Sequence, residues 1–192
     1  MTVFPEHPRL VKAPPQDGFE MRRLAEDHVT FVKFWLGWSL MVVVKAGYET
    51  DGATVSISKA ISIVGKTCDQ IKSLIEKYFP GEDVMAVYNR IVGTPWDMPR
   101  LLAAVVHDPL YSIKWCCRYI CDNVYRRILA ATKYEAVRRE IEYDVIRLVG
   151  WQNWASVTED EQEAARKFVV VKWVRTRKIP SIIENLKSNK KG

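Results

Sequence analysis

The chain has 192 residues, of which 48% are hydrophobic and 11% aromatic, with seven tryptophans and a formal net charge of +6. That length suits one domain with a substantial core, and the composition excludes a disordered chain. The longest apolar runs, "LMVVV" and "LLAAVV", fall far short of the roughly 18 residues that a membrane span needs.

Much of the positive excess lies in "KWVRTRK" and in the end "KSNKKG". No zinc-finger, RNA-recognition or helix-turn-helix signature accompanies it, so sequence-specific nucleic-acid binding is not expected. Residues 1–18, with Pro5, Pro8, Pro14 and Pro15, show no periodicity and read as an extended N-terminal arm. Prolines and charges stand there where a signal peptide needs an apolar core, so secretion is not expected. From Phe19 the pattern turns strand-like. "HVTFVKF" alternates, "SLMVVVKAGYET" is β-branched and apolar, and "WLGW" between them reads as a turn around Gly37.

"SKAISIVGKTCDQIKSLIEKYF" spaces Ile61, Val64, Cys68, Ile71, Leu74, Ile75 and Tyr78 as a helix does, and "PGED" ends it. "TPWDMPRLLAAVVHD" predicts a helix with Asp97 as N-cap and Pro99 in the first turn. A long helical stretch follows, broken near Ala131–Thr132. Its second half carries Val137, Ile141, Val145 and Leu148 on one stripe and is expected to end at Gly150. "SVTEDEQEAARKFVVVKWVRTR" opens with a capping-box pair, Thr158 and Glu161, and reads as a last helix. The expected fold is α+β: a small N-terminal antiparallel sheet packed by about four to five helices, one domain over 19–180, then a basic tail over 181–192. Cys68, Cys116, Cys117 and Cys121 have no second CxxC or His pair to complete a zinc site, and read as free thiols of a reducing compartment.

Two polar clusters interrupt this apolar pattern. In "LLAAVVHDPLY", His107 and Asp108 follow six apolar residues. Pro109 biases Asp108 away from the α region, so the helix is expected to end or kink there. A carboxylate on the Leu101–Ala104–Val105 face needs a cation, a metal or several N–H donors, because burying it alone costs several kcal/mol. In "GYETDGATVS", a strand feeds a loop that offers Thr50, Asp51, Thr54 and Ser56.

Taken together, "GYETDGATV" and "LLAAVVHDPLY" resemble a family of small proteins of tailed phages and prophages, the thirteen-fifty-three domain-of-unknown-function family. Its members show a strand ending in G-(F/Y)-x-T-D-x-A-S-V-P, an A-A-x-x-H-D-x-L-Y helix, and a later helix with a carboxylate three residues before an aromatic. The third motif falls on Glu140, before Tyr143. Thr54 stands in place of the usual Ser, Ser56 of Pro, Pro109 of an aromatic and Glu140 of Asp. The resemblance implies a viral protein, of the virion or the host cytoplasm, with a shared polar site and no established reaction.

Asp51, His107 and Asp108 are the candidate catalytic residues and, together with Glu140, the candidate metal ligands; Thr50, Thr54 and Tyr111 are the candidate ligand contacts. Three carboxylates and an imidazole suit a divalent cation, Mn or Zn before Ca, because imidazole favours borderline ions. A metal-bound water would make a hydrolase of cell-wall or nucleotide substrates. Without metal, His107 is a general base oriented by a carboxylate. A second reading is a virion, assembly or other interaction protein that docks on virion or host proteins, its polar cluster locking sheet to helix. A third is a host-directed inhibitor that holds an anionic ligand through Arg100, Arg138 or Arg139. On every reading, the strand ending at Thr50 is expected beside the C-terminal end of the 99–108 helix.

Overall fold

The computed structural model describes residues 7–15, 21–50, 67–83, 86–87 and 98–189. Among these the fold is α+β, built on two three-stranded antiparallel sheets. In the first, β1 (Leu10–Lys12) pairs with β2 (Arg22–Leu24), which pairs with β5 (Glu49–Thr50). The expected arm therefore supplies an edge strand. Its Val11 and Lys12 lie opposite Arg23 and Arg22, so pairing rather than periodicity holds this short segment extended.

The second sheet has the order β3 (His28–Lys33), β4 (Trp38–Val44), β6 (Val169–Arg175). β6 corrects the sequence expectation of one long C-terminal helix. The capping box at Thr158 and Glu161 does open a helix, α5 (Glu159–Arg166), but the helix stops there. "VVVKWVR" is too β-branched to favour continuing it, and it takes the free edge of β4, with Val44 opposite Val169 and Trp38 opposite Arg175.

The helices in front of α5 are α1 (Thr67–Tyr78), α2 (Met98–Ser112), α3 (Arg118–Ala131) and α4 (Ala136–Ser156). α2 is the central one: every residue from Leu101 to His107 is buried. A helix apolar on all sides belongs inside a fold, and here it packs with Leu40, Val42 and Val44 of β4 and with Val124, Ile128 and Leu129 of α3 in one core. No helix among the described residues is long and apolar enough to cross a membrane.

Three further expectations are corrected. α2 does not end at Asp108 but runs through Pro109 to Ser112. The ladder resumes beyond the proline, with Ile113 N–H donating to the Pro109 carbonyl at 3.0 Å and Ser112 Oγ to the Asp108 carbonyl at 2.9 Å. Beyond Ser112 the chain closes in a Schellman turn: Lys114 takes φ +43° while Trp115 N–H reaches back to the Leu110 carbonyl. α3 ends in the same way at Lys133, φ +59°, which places the break the sequence predicts near Ala131–Thr132. Gly150 does not cap α4: it is buried within it, and the helix continues to Ser156. The expected tail contains α6 (Ile179–Asn189), which begins before residue 181. Pro180 in the first turn and Ile182, Ile183 and Leu186 at helical spacing account for it.

Candidate functional site

Because α2 continues through Pro109, His107 and Tyr111 stand one turn apart on the same face, with ring centroids 4.2 Å apart. Both point at Asp122 of α3. His107 Nε2 lies 3.2 Å from Asp122 Oδ1, and the Tyr111 hydroxyl donates to that same oxygen. Arg147 of α4 donates from Nη1 to Asp122 Oδ2 at 2.6 Å. On the other side of the imidazole, Nδ1 lies 3.3 Å from Asp108 Oδ1, and Thr50 of β5 donates from Oγ1 to Asp108 Oδ2 at 3.2 Å. One ionic network thus joins a strand and three helices.

Both ring nitrogens of His107 face carboxylate oxygens, an arrangement complete only when both carry protons. Burial favours the neutral ring, but the hydrogen bonds and charges of Asp108 and Asp122 outweigh it and raise the His107 pKa above the ordinary histidine value. Burial likewise works against the Asp122 charge, and the donors His107, Tyr111 and Arg147 more than offset it, so its pKa is lowered. Burial and the neighbouring Asp122 carboxylate push the Tyr111 hydroxyl up, which keeps it a donor. Asp122 has a fully buried side chain, whereas that of Asp108 is 33% exposed. Asp108 is therefore not the deeply buried carboxylate the sequence suggests; His107 and Asp122 take that place.

These shifts set the pH range of the network. A raised histidine pKa contributes stability that is complete below the unfolded value and is lost as pH rises through the folded one. A lowered carboxylate pKa contributes stability that is complete above the unfolded value and is lost as pH falls through the folded one. The network is thus at full strength between about pH 4 and pH 6.5. The melting temperature of the wild type is expected to decline above that window by a component missing from His107→Gln. Superimposable wild-type and variant pH profiles would contradict a charged His107.

Gly150 of α4 lies directly against this cluster. A Cβ there would stand 2.8 Å from the Tyr111 hydroxyl, which Asp122 holds in place. Gly150→Ala is expected to cost about 1–3 kcal/mol by overpacking. Denaturant midpoints should show the loss, and most of it should disappear when the same change is made in Tyr111→Phe. Equal losses in both backgrounds would clear Tyr111 of the clash.

A second buried network lies beside the first. Arg100 of α2 and Glu142 of α4 pair at 3.2 Å, and the hydroxyls of Tyr125 and Tyr134 donate to Glu142 at 2.9 and 2.5 Å. Tyr125 also meets the His107 ring edge-on, with centroids 5.4 Å apart.

Of the residues singled out by sequence, Thr50, His107, Asp108 and Tyr111 belong to one cluster. Asp51 and Thr54 lie outside the described residues. Glu140 is engaged elsewhere on α4, by Arg126 and Arg139, with Oε1 at 3.1 and 3.0 Å from their Nε atoms. The residue of α4 that reaches the histidine network is Arg147, two turns further on. Arg100, Arg138 and Arg139 each hold a carboxylate: Glu142, Glu135 and Glu140. Among the described residues no group of three or more His, Cys, Asp or Glu side chains is placed to hold a metal ion.

Asp122 and Arg147 are the members that motif reading missed. A signal for Asp122 exists: it shares a helix face with Tyr125 and Leu129, and a carboxylate on an apolar face needs a partner. Comparison of the chain with protein-family models, with curated proteins and with solved structures finds no match. The likeness to the phage family therefore rests on the sequence motifs alone.

Proposed function

We propose that this chain is a viral protein that works by contact, as a virion, assembly or other interaction component, and that the His107 network is a lock rather than a reaction centre. The observation that supports this reading is the commitment of both His107 ring nitrogens to carboxylates. An imidazolium held in that way has no lone pair with which to accept a proton or bind a metal. Asp122 accepts from three side chains and is sealed from solvent. The partners are other virion or host proteins, and the setting is the virion or the host cytoplasm.

The metal-assisted hydrolase remains the second reading because Asp108 and Arg147 are each about one-third exposed, so the network has an end open to solvent. Titration of the wild type with Mn²⁺ and Zn²⁺ separates the two. For a lock, calorimetry should show no binding heat and melting should be unchanged by EDTA. A metal-dependent rise of about 2.7 kcal/mol at a hundredfold excess over Kd, abolished by His107→Ala, would overturn the lock in favour of the hydrolase.

A further inference from the structure

The tip of the β3–β4 hairpin carries an apolar side chain that the fold does not use. Leu36 is 85% exposed and takes φ +50°, followed by Gly37 at φ +73°. Left-handed positions of a hairpin turn favour Asn, Asp or Gly, so a leucine there is unfavourable in conformation and in hydration alike. Around it lies an aromatic patch. Trp35 is 55% and Trp173 of β6 42% exposed, their rings 6.1 Å apart, and Phe34 meets each of them edge-on at 5.3 Å.

The same corner is cationic. Thr176 N–H donates to the Gly37 carbonyl at 2.7 Å, which ties the turn Thr176–Lys178, with Arg177 and Lys178, to the hairpin tip. Arg175 lies over the Trp38 ring at 4.1 Å. Arg127 lies over Phe34 at 4.7 Å and donates to the Lys33 carbonyl. No acidic residue occurs from Val29 to Tyr48, nor from Arg166 to Ile183. The segments that build this corner therefore contribute positive charge without compensation.

We propose that the Trp35–Leu36 tip, with the basic turn bonded to it, docks this chain on an anionic lipid surface. Tryptophan favours the headgroup region, an inserted leucine leaves water, and arginine and lysine beside them meet lipid phosphates and carboxylates. Charge complementarity names an anionic partner. Leu36 selects lipid over nucleic acid, because a stacking platform uses flat ring faces and gains nothing from an exposed aliphatic side chain. This surface uses none of the residues of the His107 network, so it stands whether that network is a lock or a reaction centre.

The test is co-sedimentation of the full chain with vesicles of phosphatidylcholine alone and of phosphatidylcholine and phosphatidylserine in equal parts. Binding should require phosphatidylserine and weaken with salt. Arg177→Gln and Lys178→Gln should each weaken it about fivefold. Leu36→Asn should weaken it about tenfold or more, while its melting temperature holds or rises because asparagine suits the left-handed turn. That variant keeps the fold intact, so a loss of binding reads the surface alone. Absence of binding to the anionic vesicles, or equal binding by wild type and Leu36→Asn, would overturn the proposal. So would tighter binding to a single-stranded oligonucleotide that persists in Leu36→Asn and is lost in Trp35→Ala, which would make the corner a stacking platform.

Discussion

Asp122→Ala is expected to lower the unfolding free energy by about 3–5 kcal/mol, in the range found when one partner of a buried ion pair is removed. The side chain lost is completely buried and accepts from His107, Tyr111 and Arg147. Its removal takes the acceptor from the phenol of Tyr111 and from Nε2 of His107, leaving the imidazolium only Asp108, and frees an arginine. Asp122→Asn keeps the shape but removes the charge and points donors at donors, so it should be nearly as costly. Arg147→Ala should be milder, because its side chain is partly exposed and the carboxylate retains two other donors. Denaturant melts of the three variants give the ranking directly. A loss below about 1 kcal/mol for Asp122→Ala, the level of an exposed pair, would show that the network does not hold the fold together.

The Arg100–Glu142 pair should respond as strongly, and for a reason that a second substitution can isolate. Both side chains are almost wholly buried, and Glu142 also accepts from Tyr125 and Tyr134. Glu142→Ala is expected to cost about 3–5 kcal/mol, because the guanidinium then stays buried without the Glu142 charge and two tyrosine hydroxyls lose their acceptor. Arg100→Met combined with Glu142→Gln should recover most of that loss. The methionine fills the space without a charge, and the glutamine oxygen still accepts from a tyrosine. If the double variant is no more stable than Glu142→Ala, the cost comes from lost packing rather than from the loss of the Glu142 charge beside the guanidinium.

Neither network serves an isolated helix. Each draws residues from α2, α3 and α4, and Thr50 extends the first to β5, so they tie these elements to one another. Dispersion and apolar burial drive the helices together without much directional preference. Buried ion pairs penalise any register in which a charge is left alone, which is the physical basis of the locking role proposed for the His107 cluster.

The amino-acid order by itself determined the α+β class, the β3–β4 hairpin around Gly37, the capping box at Thr158 and the break between α3 and α4. Each of these follows from chemistry within a few residues: alternation, a glycine in a turn, a hydroxyl three positions before a carboxylate. The same local reasoning singled out His107, Asp108, Thr50 and Tyr111, because polar groups in apolar runs demand partners. It could not name those partners. Asp122 comes from another helix, Arg147 from a third, and Glu140, which the motif spacing favoured, lies two turns away and is taken by Arg126 and Arg139. The course of α2 through Pro109, the burial of Gly150 against Tyr111 and the pairing of Val169–Arg175 with β4 were likewise decided only in three dimensions. Local preferences at those positions amount to a few kcal/mol at most. A central helix buried on every side, a glycine that admits a tyrosine hydroxyl and an open strand edge each outweigh them.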